Sequence, residues 1–179
     1  MTDKKERQAV ATFVDYTASG TGFLVRTGNP LGVRTVADLC GRKVAAQKAS
    51  NQAKHLADYS KQSCGGNAVA IQEYPENPQA VQALLAGNAD VVAATKVNLV
   101  DIASGLTGKA ELVDDPAQPN GWQASPNGFG FRKADKELAE AYRGALQALI
   151  DDGSYTKILA RYKQEPIGLK TITVDRAID

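Results

Sequence analysis

Metal ligands and redox groups are scarce in this sequence, which has one histidine, His55, and two cysteines, Cys40 and Cys64. A structural zinc site draws on four such ligands, so that class is excluded, and no other metal or cofactor is expected. An excess of one charge is missing too. The 21 basic and 20 acidic residues are mixed along the chain and leave a net charge of +1, which gives no stripe for nucleic acid and no basic membrane-surface helix. No apolar run approaches the length of a membrane-spanning helix. The polar residues after Met1 do not read as a signal peptide, so the chain is expected to carry no address of its own. Internal repeats and low-complexity tracts are absent. What remains is ordinary globular composition: 43% apolar and 23% charged over 179 residues, enough for one good core or two modest ones.

The chain is organised around Leu39–Asn51. Lys43–Gln47 reads as a strand, and Ser50 or Asn51 opens a helix carrying Leu56 and Tyr59. A strand delivering small polar residues to a helix start makes an anion site, because free N–H groups and the positive dipole end point outward there. Taken alone, Ser50 is also an ordinary N-cap. Cys40 and Cys64 flank this unit, and a buried thiol pair and a disulfide are both open readings at this point.

Along the rest of the chain, a short helix is expected around Lys4–Ala11, and extended segments at Phe13–Tyr16 and Gly22–Arg26. Past the turn at Gly28-Asn29-Pro30, Thr35 caps a short helix over Val36–Leu39. Strands are expected at Val69–Ile71, Val91–Ala94 and Glu111–Val113. Helices separate them: one is capped by Asn77 with Pro78 at its first position, and another covers Val97–Ser104. That alternation predicts βαβ units and a mostly parallel sheet. Asp114–Asn127, with the single tryptophan Trp122, reads as a long loop before a strand at Gly128–Arg132. Asp135 caps a helix with Leu138, Tyr142, Ala145, Leu146 and Leu149 on one stripe, closed at Gly153. Another helix begins at Ser154.

The order of these segments resembles a known family. Met1-Thr2-Asp3-Lys4-Lys5-Glu6-Arg7 followed by Phe13-Val14-Asp15-Tyr16 is similar to the opening motif of bacterial extracytoplasmic solute-binding proteins of the amino-acid class (family 3), which serve ABC importers. The likeness continues through Leu24–Pro30, Asp38–Ala45, Gly87-Asn88-Ala89-Asp90, Gly128–Lys133 and Ala148–Leu159. It implies an α/β fold of the periplasmic-binding-protein type II, with two lobes joined by crossover strands and closing on a ligand. Residues 25–125 are then the complete second lobe. Residues 1–24 and 126–179 belong to a partial first lobe, since family members carry a segment ahead of the Met1 motif. On that reading the helix from Asp135 has an apolar face with little to cover it. The full-length form is expected to be monomeric, and this chain can dimerise. The resemblance also implies an extracytoplasmic location, secreted, periplasmic or lipid-anchored, where a Cys40–Cys64 disulfide is the expectation.

The resemblance carries over a short list of ligand residues. Arg7 stands at the carboxylate-binding arginine, where a guanidinium fork suits a planar anion, and Thr2 at a hydroxyl facing the ligand. Ala49-Ser50-Asn51 replaces the common Gly-Ser/Thr-Thr. Ser50 and Asn51 still offer donors to a carboxylate. Thr95 is the mismatch: family members commonly have an aspartate there to pair the ligand's α-ammonium, and a threonine cannot neutralise a cation. With Lys96 next to it, the pattern leans toward an anionic or neutral ligand. The expected partners are a small carboxylate-bearing solute and a membrane permease, without nucleic acid. Two alternatives remain on the same fold. One is a cyclic-acid dehydratase using Asp90 or Asp101 for proton transfer. The other is an isolated lobe acting as a sensor or partner-binding module.

Overall fold

The computed structural model describes residues 1–177. In chain order the elements are α1 (Lys5–Gln8), β1 (Ala11–Arg26), β2 (Lys43–Gln47), α2 (Asn51–Ser63), β3 (Ala70–Tyr74), α3 (Asn77–Leu85), β4 (Val91–Thr95) and α4 (Lys96–Gly105). They continue with β5 (Ala110–Leu112), β6 (Trp122–Arg132), α5 (Lys136–Asp151), α6 (Ser154–Arg161) and β7 (Gly168–Val174). The chain divides into two compact units. One comprises Met1–Gly20 with Gln123–Asp179, the other Thr21–Trp122.

In the Thr21–Trp122 unit the strands lie in the order β3-β2-β4-β1-β5. β2 runs parallel to both β3 and β4, whereas β1 is antiparallel to β4 and β5, so the sheet is mixed. β4 is apolar without a break because it is covered on both faces. Val91 and Ala93 join Val44, Leu56 and Val69 on one side. Val92 and Ala94 join Leu24, Leu84 and Leu99 on the other. α2 opens at Asn51 and carries Leu56 and Tyr59 as expected, and Ser50 caps it by accepting the Ala53 N–H at 3.2 Å. α3 begins one residue earlier than expected: Glu76 is the N-cap, because the Gln79 side chain reaches back to its N–H at 3.1 Å. The short helix after Thr35 is a 3-10 turn, and it leads into a Cys40–Cys64 disulfide with Cα atoms 5.4 Å apart.

In the other unit, β1 takes β6 and β7 as neighbours. Three expectations are corrected here. The two separate extended segments at Phe13–Tyr16 and Gly22–Arg26 are one strand of 16 residues. Ladder partners are found along both halves, Val174 and Thr173 at its start and Ala94 to Val92 further on, so Gly20 does not end it. The helix expected over Lys4–Ala11 shrinks to Lys5–Gln8, because Ala11 already belongs to β1. The loop expected to last until Asn127 gives way at Trp122 to β6. Pro126 is tolerated there with its carbonyl accepting the Asp3 N–H at 2.9 Å.

The stripe on α5 is left largely uncovered, as the resemblance implied. Leu138, Tyr142 and Leu149 stay 50%, 45% and 37% exposed, and Ala145 is exposed with them. Leu146 of that stripe packs inward, with Ala139 and Ile150, on Val14, Ile172 and Val174. The cause is β7, a strand the periodicity did not reveal: its Ile172 and Val174 cover the neighbouring face of the helix. Asp135 holds the N-cap position without a capping bond, since its carboxylate binds Arg132 at 2.8 Å.

Candidate functional site

The Thr21–Trp122 unit gathers polar residues at one edge of its sheet. β2 and β4 are parallel with Ala46 opposite Ala93, so their carboxyl ends, and the helices that follow, lie side by side. Open α/β sheets offer ligand crevices at such an edge. Ser50 and Asn51 open α2 there, while Thr95 and Lys96 open α4. Thr21 of β1 sits directly opposite Thr95 in the antiparallel register. The sequence-derived residues Ser50, Asn51 and Thr95 are therefore brought to one edge.

Their states differ. Ser50 Oγ is occupied as an acceptor by the cap bond, which leaves its proton to donate. Thr95 is the N-cap of α4 but makes no capping bond with its side chain, so its hydroxyl is not used by the helix. Ala49 has φ 56°, a left-handed conformation that disfavours a residue with a Cβ. The family pattern puts glycine at this point. Ala49→Gly is accordingly expected to stabilise the chain by about 1 kcal/mol, read as a higher urea midpoint at unchanged slope. A lower midpoint would show that the turn is not strained.

An open depression of about 480 Å³ lies beside the start of α2, lined by Ser50, Asn51, Lys54, Ile71 and Glu73. A much smaller cavity lies under Trp122, bordered by Thr21, Gly22, Lys96 and Gln118. Trp122 is buried, with its ring edge-on to Tyr59 at 5.6 Å and to His55 at 6.3 Å, so α2 holds it in place. At Gly22 a Cβ would stand 3.0 Å from Lys96 Cα, a close approach that only glycine allows between β1 and the start of α4. Sequence reasoning passed over Thr21 and left Trp122 in a loop. The one usable signal was a lone tryptophan in an otherwise polar stretch.

In the other unit Arg7 and Thr2 are brought together: Arg7 Nη1 donates to the Thr2 carbonyl at 2.9 Å, and the Thr2 hydroxyl donates to Asn127 Oδ1 at 3.4 Å. Of the two carboxylates considered for proton transfer, Asp101 lies within α4 and Asp90 lies at the opposite edge from Ser50 and Thr95. Asp90 is the one tied to a neighbouring strand. It precedes β4 and accepts the Lys43 N–H at 2.9 Å, tying the two strands at their amino ends. Among the described residues no group of three or more His, Cys, Asp or Glu side chains is arranged to hold a metal, and no helix is long and apolar enough to cross a membrane.

Comparison with known proteins settles the family. The profile of the bacterial extracellular solute-binding proteins, family 3, matches residues 1–165. The chain belongs to this family. It is 28% identical over 164 residues to the arginine-binding protein ArgT of Corynebacterium glutamicum, covering 90% of this chain and 52% of that protein. It is 24% identical over 139 residues to the L-cystine-binding protein TcyJ of Escherichia coli, covering 78% of this chain and 48% of that protein. The chain thus spans about half the length of these curated relatives. Among solved structures, an ancestral cationic amino acid solute binding protein superposes with a TM-score of 0.68 at 26% identity, over 90% of this chain and 66% of that one. The ligand-binding core of GluR0 from Nostoc punctiforme, in complex with L-glutamate, gives a TM-score of 0.66 at 23% identity, over 92% and 70%. The fold is the expected periplasmic-binding-protein type II, and the named relatives are binding proteins rather than enzymes.

Proposed function

We propose that the chain is a ligand-binding part of an ABC importer's substrate-binding protein, acting without catalysis outside the cytoplasm and delivering a small carboxylate-bearing solute to a membrane permease. The observation that carries this reading is that Ser50 and Asn51 at the start of α2 lie at the same end of the sheet as Thr95 and Thr21. A helix start with a donating hydroxyl suits a carboxylate. The motif resemblance around Met1–Arg7 supports Arg7 and Thr2 as further ligand residues. Of the two carboxylates considered for a dehydratase, Asp90 belongs to the other edge.

Thr95 shapes the choice of ligand. A neutral hydroxyl leaves a buried α-ammonium short of one charge-assisted hydrogen bond, about 1.5–3 kcal/mol, or roughly tenfold to a hundredfold in affinity. Calorimetric titration is therefore expected to show pentanoate binding more tightly than L-norvaline, which differs by the amine. Thr95→Asp is expected to reverse that order. Tight binding of L-norvaline to the unaltered chain, indifferent to Thr95→Asp, would mean that the amine site lies elsewhere. Failure to bind either compound would remove the carboxylate reading.

A further inference from the structure

The Met1–Gln8 segment is laid against β6 by a few main-chain bonds. Thr2 bridges Asn127, the Asp3 N–H donates to the Pro126 carbonyl at 2.9 Å, and the Gly128 N–H donates to the Met1 carbonyl at 2.9 Å. The Met1 amino group is bound in turn by the Gly128 carbonyl at 2.9 Å. Inside the segment, the Gln8 side-chain amide donates to both Asp3 oxygens at 2.9 Å. Thr2 and Arg7 ride on this stretch, and the Arg7 guanidinium is turned to the Thr2 carbonyl.

Two carboxylates are sealed from water here, Asp3 at 1% exposure and Asp15 of β1 at 0%. Asp15 Oδ1 has no hydrogen-bond partner, and β6 crowds it: a Cβ on Gly128 would stand 3.0 Å away. The charged side chains that bear on Asp15 are both acidic, Asp3 first and Asp175 after it. Asp175 is itself held by the Phe13 N–H at 2.7 Å and by Lys133 at 3.8 Å, while Arg176 gives Asp15 a backbone N–H. Both Asp3 oxygens already serve as acceptors, so the proton that relieves the pair sits on Asp15.

We propose that this proton fastens the Met1–Gln8 segment: with it on Asp15 the segment stays on the sheet, and its loss loosens Thr2 and Arg7 together. Two buried carboxylates are costly when both are charged, and lifting the segment takes Asp3 away and gives Asp15 water. β1 is held on both sides by β6 and β7, so the segment with few bonds yields first. Burial and then Asp3 raise the Asp15 pKa to about 6 in the fold. Attachment is therefore intact below pH 3.8, weakens between there and about 6, and is weakest above. This pH-sensitive attachment stands apart from the carboxylate-binding reading, which supplies only the roles of Thr2 and Arg7.

Amide hydrogen exchange of the 179-residue chain, followed by NMR at pH 5 and pH 7 and corrected for intrinsic rates, tests it. The Asp3 and Gly128 amides, which bond the segment to β6, are expected to lose protection by up to about tenfold between the two. The opening is expected to be local, and so insensitive to dilute urea. Asp15→Asn is expected to keep both amides protected at either pH, and Asp3→Asn to shrink the change. Protection that changes by less than about twofold overturns the proposal. So does protection that falls with urea as steeply as global stability, which marks loosening of the whole unit. A pH effect that survives in Asp15→Asn overturns it as well, by placing the proton elsewhere. Should Asp15→Asn fail to fold, the unaltered chain and Asp3→Asn decide.

Discussion

Reducing the Cys40–Cys64 bond is expected to cost the chain about 3.5 kcal/mol of stability. The bond joins residues 24 apart in sequence, and the chain-entropy argument for a loop of that length gives this figure. The closed loop holds both β2 and α2, so the cross-link restrains the whole strand–helix unit that presents Ser50. Cys64 is buried at the end of α2 among Leu39, Leu56 and Val69, so opening the bond also loosens that corner of the core. Urea titration with and without reductant, repeated on Cys40→Ala/Cys64→Ala, measures the effect. A midpoint unchanged by reduction would show that the unfolded chain is not the state the bond restrains.

A comparable effect is expected from pH, through Asp15. This carboxylate on β1 is fully buried. Its Oδ2 accepts from the Thr173 hydroxyl at 3.1 Å and the Arg176 N–H at 3.3 Å, while Oδ1 has no partner. Burial first, and then the nearby Asp3 carboxylate, push its pKa from the usual 3.8 to about 6 against the lowering effect of those two hydrogen bonds, with Asp175 adding a smaller rise. The folded state therefore holds the proton longer than the unfolded chain does. No stability is lost below pH 3.8. Between that value and about 6 the unfolded chain releases the proton first, and above 6 the folded state carries the full cost of a buried charge. The cost amounts to about 3 kcal/mol at neutral pH.

Asp15→Asn isolates this contribution, because the remaining titrations cancel in the difference between variant and parent. Denaturant melts are expected to give a variant-minus-parent stability that rises by about 2.4 kcal/mol from pH 4 to pH 7. A difference that stays level across that range would show that Asp15 keeps an ordinary pKa in the fold.

Some of these features were legible in the residues and some were not. α2 was readable because Ser50 is a capping residue and Leu56 marks the buried face. β4 was readable because four consecutive apolar residues suit only a strand covered on both sides. β7 escaped notice because Gly168–Val174 alternates weakly, and its strand character comes from pairing with Val14 and Asp15 of β1, more than 150 residues away. The continuity of β1 was hidden for the same reason: Ala18-Ser19-Gly20-Thr21 has little strand preference by itself and is drawn into the strand on which partners are found either side. The uncovered stripe of α5 was legible, whereas its packed face was not, because helical periodicity does not say which side a distant strand will cover.

The sequence by itself determined the family, the alternation of strands and helices between Lys43 and Leu112, and the position of the Ser50 helix start, because these depend on local patterns and ordered motifs. Only the tertiary structure decided that Cys40 and Cys64 meet and that Asp15 is sealed from water with one oxygen unpaired. Each of these last facts is set by residues far along the chain, and burial and electrostatics act through space rather than along the sequence.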